Sequence, residues 1–466
     1  MSVLQLPPSY NLVDQKVAST SAGQPIMSKI RSDNADYSAS QGNGDVIRIS
    51  IPTGQSSWLS PQDSFITGKF TPTWTEGTGP GNVKIDGTAY SLIRRCSLYH
   101  GSSLIENLVG AGRLYNALFD VQAGASERAA GTVNLMIEEA GGIGSNMYTY
   151  GTTLVSGRTY NFSFCLPSIL GIWSEKCLPL GFMDAAELYL ELELEAANRV
   201  FTTRVGDTIS GTVGAYTAPP TNLSYKVSEI YYNACITSLG SEVQNILKQA
   251  LMSKPMVIPC ISYRGEQRVV SASAGSFSDK FSFQFSSLKT ILWWLTTSAT
   301  ANGQVISNNL NAAVTTRTAG SLDQYYCSIN GSDYPASHIK AGAETADRIF
   351  GAECMGQLER AFNANVTPGM SSVLTKEVYC NSITLSVGAA GTGSDAADAK
   401  KFVGALSLDR FDNNNTNSLM GMNTMSSQVQ LSLQFTTGVS ESMNLYAYAQ
   451  FDMALELVDG ILVARY

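Results

Sequence analysis

The chain has 466 residues, only 15% of them charged, and its 30 Lys and Arg against 38 Asp and Glu leave a net charge of -8 at pH 7. That length exceeds one typical core and fits two large β domains, while the acidic balance excludes the basic footprint of a direct nucleic-acid binder. Two histidines, His100 and His338, lie far apart in the sequence and leave almost no imidazole for catalysis.

Residues 1–45 hold Pro7, Pro8 and Pro25 among many Ser, Asn and Asp, and read as an extended arm that orders by docking. Met1 to Thr20 carry no apolar run of signal-peptide length, so the expectation is a chain not secreted by that route. Ile47, Ile49 and Ile51 then open the dominant pattern, apolar residues at every second position, which puts one set of side chains in a core and the other in water. The pattern returns at Tyr160, Phe162 and Phe164, and most clearly at Glu187 to Glu195. There Leu188, Leu190, Leu192 and Leu194 face one way and Glu187, Glu191, Glu193 and Glu195 the other. It returns again at Phe281, Phe283 and Phe285; at Ile383, Leu385 and Val387; and at Val429, Leu431, Leu433 and Phe435. One-sided alternation predicts antiparallel sheets with a wet face. The apolar run Ile291 to Leu295 is far too short to span a membrane.

Between the strands run polar stretches rich in Gly, Ser, Thr, Asn and Ala: Thr71 to Gly87, Gly141 to Gly157, Thr202 to Asn222, Ala299 to Asp323, Gly388 to Ala399 and Asp409 to Thr424. They read as long loops gathered at the ends of the sheets. Helical spacing is confined to Leu108 to Phe119, Ser241 to Leu251 and Glu344 to Phe362. Two strand-like runs, Tyr225 to Leu239 in the middle and Phe451 to Val463 at the end, close the halves alike. The expected organisation is an arm at 1–45, one β-sandwich at 46–240 and a second at 241–466 that opens with a linker helix.

The residues of reactive chemistry do not converge. Cysteines at 96, 165, 177, 235, 260, 327, 354 and 380 form no C-x-x-C pair and read as reduced core thiols. Cys165 and Cys177, twelve apart, read as core or loop residues and not as metal ligands. His100, beside Gly101, reads as a turn residue, and His338 as a surface residue in the loop-like Asp333 to Lys340; without a G-x-S-x-G elbow no triad forms around them. Gly110, Gly112, Gly141, Gly142 and Gly144 lack phosphate-loop spacing. The acid pairs Glu138 with Glu139 and Asp395 with Asp398 read as solvated loop charges. N-x-[ST] triplets at Asn161, Asn222, Asn330, Asn365 and Asn414 follow from composition. No catalytic, cofactor-binding or metal residue is nominated.

Three stretches carry a resemblance: Ser328 to Phe362 (SINGSDYPASHIKAGAETADRIFGAECMGQLERAF), Phe402 to Phe411 (FVGALSLDRF) and Ser426 to Phe435 (SSQVQLSLQF). They resemble the second jelly roll of double jelly-roll major capsid proteins of tailless icosahedral double-stranded DNA viruses, in the polinton-like virus, adintovirus and virophage group. The resemblance implies an all-β protein of two tandem jelly-roll sandwiches with short accessory helices and long apical loops. It implies a homotrimer forming a pseudo-hexameric capsomer of a virion shell, with neighbouring capsomers and minor capsid or penton proteins as partners and no cofactor. Hexon-type insertions are absent from the sequence. Two further readings of the same residues remain. One is a loop-based, lectin-like binding or attachment protein using Trp293 and Trp294, or Tyr325, Tyr326 and Tyr334, as platforms; the other is a carbohydrate-active enzyme, which needs a convergent acid pair.

Overall fold

Period-two alternation becomes sheet because it lets every second side chain leave water while the backbone pairs with a neighbour. The computed structural model describes residues 25–54, 57–78, 83–122, 154–203 (without 172, 175, 184 and 185), 218–238, 256–342 (without 307, 308, 311 and 312), 349–362, 401–409 and 421–466, with Gln249 and Tyr379 alone.

The first half contributes β1 (Pro25–Arg31), β2 (Asp36–Ala39), β3 (Val46–Ile51), β4 (Ser57–Thr75), β5 (Lys84–Ile85), β6 (Ile93–His100), β7 (Ser103–Val109), β8 (Tyr160–Phe164), β9 (Leu188–Leu194), β10 (Phe201–Thr202) and β11 (Thr221–Ser238). Helix α1 (Ala111–Gln122) lies between β7 and β8. One sheet runs β1-β11-β4-β8, with β2 also on β11, and the other runs β3-β9-β6-β7. The second half contributes β12 (Met256–Val270), β13 (Ser276–Phe281), β14 (Leu288–Thr297), β15 (Val305–Ile306), β16 (Asn309–Leu310), β17 (Leu322–Ile329), β18 (Ser332–Lys340), β19 (Gly404–Ser407), β20 (Val429–Phe435), β21 (Met443–Val458) and β22 (Ile461–Arg465). Helix α2 (Ala352–Ala361) lies between β18 and β19. Its sheets run β12-β21-β14-β19, with β22 also on β21, and β13-β20-β17-β18.

Followed along the chain, both halves make the same circuit. The first, third, sixth and eighth framework strands form one sheet, the second, fourth, fifth and seventh the other, and a helix sits between the fifth and sixth. That antiparallel circuit is the jelly roll, so the all-β, two-sandwich expectation is met.

The register explains each core. Ile47, Ile49 and Ile51 of β3 stand opposite Leu192, Leu190 and Leu188 of β9, and all are buried. Removing each such side chain from water is worth about 1.5–3 kcal/mol. Val429, Leu431, Leu433 and Phe435 of β20 do the same in the second sandwich. Strand β14 is buried on both sides. Trp293 packs on Tyr325 and Phe402, with ring centroids at 5.1 and 5.4 Å, and its neighbour Trp294 stacks on Tyr448 of β21 at 5.0 Å. A strand covered on both faces reads as a continuous apolar run, which is what Ile291 to Leu295 shows.

Several expectations are corrected. Thr71 to Gly87 is not all loop: β4 continues to Thr75 because Phe70, Pro72 and Trp74 still alternate inward between threonines, and β5 is buried. Leu108 and Val109 end β7, so α1 begins only at Ala111; α2 starts at Ala352, well after Glu344. Asp333 to Lys340 lies in β18, an edge strand joined to β17 by a tight turn at Asn330 and Gly331, both at positive φ. Phe451 to Val463 is the end of one strand and most of the next, turned at Asp459 and Gly460. Phe283 and Phe285 are buried beyond the end of β13. Within the segment expected as an arm, Pro25–Arg31 and Asp36–Ala39 pair with β11; residues 1–24 lie outside the described residues. So do most of the Ser241 to Leu251 helix, the 383–387 strand, Gly388 to Ala399, Glu138, Glu139, Asp395, Asp398 and Cys380.

Candidate functional site

Among the described residues most of the buried charged side chains collect where the two sandwiches meet. Strand β7 of the first lies against β12 and β22 of the second. Across this seam Ser262 donates to Glu106 Oε1 at 2.7 Å, Tyr448 donates to the Gly110 carbonyl at 3.0 Å, and Tyr466 donates to the Ile105 carbonyl at 3.0 Å. Trp173 packs on Tyr263 at 4.7 Å between centroids. Glu106 also accepts from the Ile169 N–H at 3.2 Å, and burial pushes its carboxyl up to about 7.

A second stretch of seam is built by residues 313–321, which the sequence suggests as loop. Ala313, Val314, Arg317, Thr318 and Ala319 are buried. Thr318 bridges to Leu295 of its own half, but the backbone at 313–315 has no ladder and needs other partners, several of which the first sandwich supplies. Asp86 accepts from the Val314 and Thr315 N–H groups and, at 2.6 Å, from the Thr315 hydroxyl. Burial still pushes the Asp86 carboxyl up, opposed by Thr315 and by the charge of Lys401. Arg113 of α1 donates to the carbonyls of Ala313 and Ala301. Arg317, fully buried, donates to Asp120 of α1, and Lys401 Nζ lies 3.7 Å from the same carboxylate.

The two histidines part company. His100 is buried at the end of β6, not in an open turn: Nε2 donates to the Ala186 carbonyl at 2.9 Å and Nδ1 accepts the Leu462 N–H at 2.7 Å. Burial pushes its pKa down, and the bond to Leu462 needs the neutral ring. His338 is half-buried on β18, stacked on Tyr326 at 3.8 Å and 3.5 Å from Asp333. Trp293, Trp294 and Tyr325 are buried and offer no recognition platform. Cys96, Cys260, Cys327 and Cys354 are buried, as core thiols, whereas Cys177 is exposed and Cys165 and Cys235 are half-buried; among the described residues none of the seven forms a disulfide. Among the described residues no group of three His, Cys, Asp or Glu could hold a metal. No local pattern announces the seam, because its hydrogen-bonded partners lie 104 to 362 residues apart.

The outer faces of the two equivalent sheets differ. On β3-β9-β6-β7, Tyr99 stacks on Tyr189 at 5.0 Å, Arg48 lies 4.0 Å over Tyr189, and Val46, Leu104 and Val109 are exposed. On β13-β20-β17-β18, Ser278 bonds Ser432 and Gln430, and Gln324 bonds Gln434, a network of neutral polar side chains with Lys280 and Lys340 exposed beside it.

Two jelly rolls fused through a polar seam define a double jelly-roll protein. The structure is similar to the major capsid protein of mavirus (9% identity, TM-score 0.52, covering 100% of this chain and 96% of that one) and of Faustovirus (9%, 0.53, 94% and 91%). It is also similar to a chain of the capsid of the virus PBCV-1 (13%, 0.51, 95% and 97%). At these identities the likeness is one of fold. No family model and no curated protein sequence matches the chain.

Proposed function

We propose that the protein is the major capsid protein of an icosahedral double-stranded DNA virus, acting as a homotrimer whose six sandwiches form a pseudo-hexagonal block of the virion shell. One observation carries the reading: the same eight-strand circuit occurs twice, the copies are locked side by side, and capsid proteins share this arrangement along nearly their whole length. Two like domains repeated by a threefold axis fill a hexagonal lattice position, and a closed ring is an ordinary solution for heterologous contacts. The unlike outer faces of the two equivalent sheets suit such contacts, because each sandwich then meets a different neighbour. Neighbouring trimers and minor capsid proteins are the further partners on this reading, and the work done is assembly through buried surface.

Light scattering of the purified chain, followed by negative-stain imaging of the same fraction, tests it. The expected species has a mass of about 150 kDa, three times the 49.8 kDa chain, and a hexagonal outline. A monodisperse monomer that never assembles would overturn the proposal.

A further inference from the structure

We propose that a cleft in the seam binds a small oxyanion, phosphate or a carboxylate, centred on Arg113. The cleft holds about 170 Å³, and both sandwiches line it: Arg94, Arg113 and Arg199 from the first, Gln267, Asn302 and Tyr446 from the second. One water needs roughly 10–15 Å³ of such space, so the cleft admits a polyatomic ion.

Charge accounting singles out Arg113. It is 5% exposed, spends its bonds on two backbone carbonyls, and lies 4.5 Å over the Tyr446 ring. Among the described residues it forms no ion pair, the buried acids Glu195 and Asp86 attracting it only from a distance, whereas buried charges are normally paired. The two acids of the cleft wall are already engaged, Glu195 with Arg199 of the same wall. Glu195 Oε1 accepts from the Ala196 N–H and from Arg199 Nη1, both at 3.1 Å; Glu266 accepts from the Ser282 N–H at 3.0 Å and from Arg268 at 2.8 Å. Among the described residues Arg199 Nε is a buried donor with no acceptor. Arg94, paired with Glu193 at 3.0 Å, stands half-exposed in the wall. With Arg94 paired to Glu193, Arg199 to Glu195 and Glu266 to Arg268, the charge of Arg113 is left over in the recess among the described residues, and guanidinium forks suit planar or tetrahedral oxyanions. An anion held there touches both sandwiches and so strengthens their union by mass action.

The test is thermal unfolding of the full chain in sodium phosphate, sodium acetate and sodium chloride at matched ionic strength, for the native protein, R94Q and R113Q. The expected result is a midpoint that rises by roughly 1–3 °C for each tenfold of phosphate above the dissociation constant. A rise with acetate as well assigns a carboxylate-sized site, and a rise with phosphate alone a phosphate site. R113Q loses the rise, and R94Q, a change at a half-exposed side chain, needs about tenfold more anion. An equal rise in chloride, or a full response in R94Q at unchanged anion concentration, overturns the proposal. Neither outcome bears on the mass of the assembled species, so this inference and the capsid reading fail separately.

Discussion

Replacing Asp120 by Asn removes the one carboxylate shared by two cations buried in the seam. Asp120 and Arg317 have no exposed surface and Lys401 is nearly buried, so neither cation can turn to water. Among the described residues Arg317 Nε and Nη1 have no partner, so the bond to Asp120 is the one hydrogen bond of its guanidinium. Breaking a buried pair from one side costs about 3–5 kcal/mol, mostly for the charge left behind. Removing Arg317 as well takes away one of the two stranded charges. D120N/R317M is therefore expected to be more stable than the sum of the single changes by about 0.5–3 kcal/mol. Urea unfolding, read by tryptophan fluorescence through Trp293 and Trp294, measures all four proteins. A D120N cost below about 1 kcal/mol, or additive single effects, would refute the claim that charge pairing holds this part of the seam.

Glu106 titrates near 7 in the folded chain against an ordinary 4.5, so folding takes up a proton between those values. Its contribution is complete below about pH 4.5 and lost as pH rises through 7, about 3 kcal/mol in all; E106Q is expected to flatten that part of the stability profile, and an unchanged slope counts against the assignment. His100 has the opposite sign. Its folded pKa lies below 6.5, so the stability it contributes is lost as pH falls below that value, and the hydrogen-exchange protection of the Leu462 amide is expected to drop on acidification; constant protection from pH 7 to 5 contradicts this. Gly110 sits at φ +71° with Tyr448 Oη 2.5 Å from where a Cβ would stand. G110A is therefore expected to cost about 1–3 kcal/mol by strain and clash, and a calorimetric midpoint equal to that of the native protein refutes it.

The sandwiches were legible because β3, β8, β9 and β20 each bury one face, and a single wet face writes itself as alternation. Strand β14 was harder to read, since Trp294 is covered by the seam as Trp293 is by its own core, and burial on both sides erases the period. Residues 312–320, AAVTTRTAG, resemble a loop by composition, but they hold one charge among small and β-branched residues. That lone Arg317 was the available signal of a buried segment. The seam itself had no local signature. Asp86, Glu106, Arg113 and Asp120 look like surface charges until partners from the other half of the chain arrive, and no spacing rule links Asp86 to a Thr 229 residues away.

That same separation has a consequence in time. The first jelly roll is complete only at Ser238, where its central strand β11 ends, and a ribosome adding about 5–20 residues each second needs roughly 4–15 s to travel from there to Thr315. During that interval the nascent first jelly roll presents Asp86, Arg113 and Asp120 to water, a hydrated docking face and not an adhesive one. In a crowded polysome such a half-finished molecule resists clumping with its siblings, and the arrival of residues 313–321 converts it into a closed block.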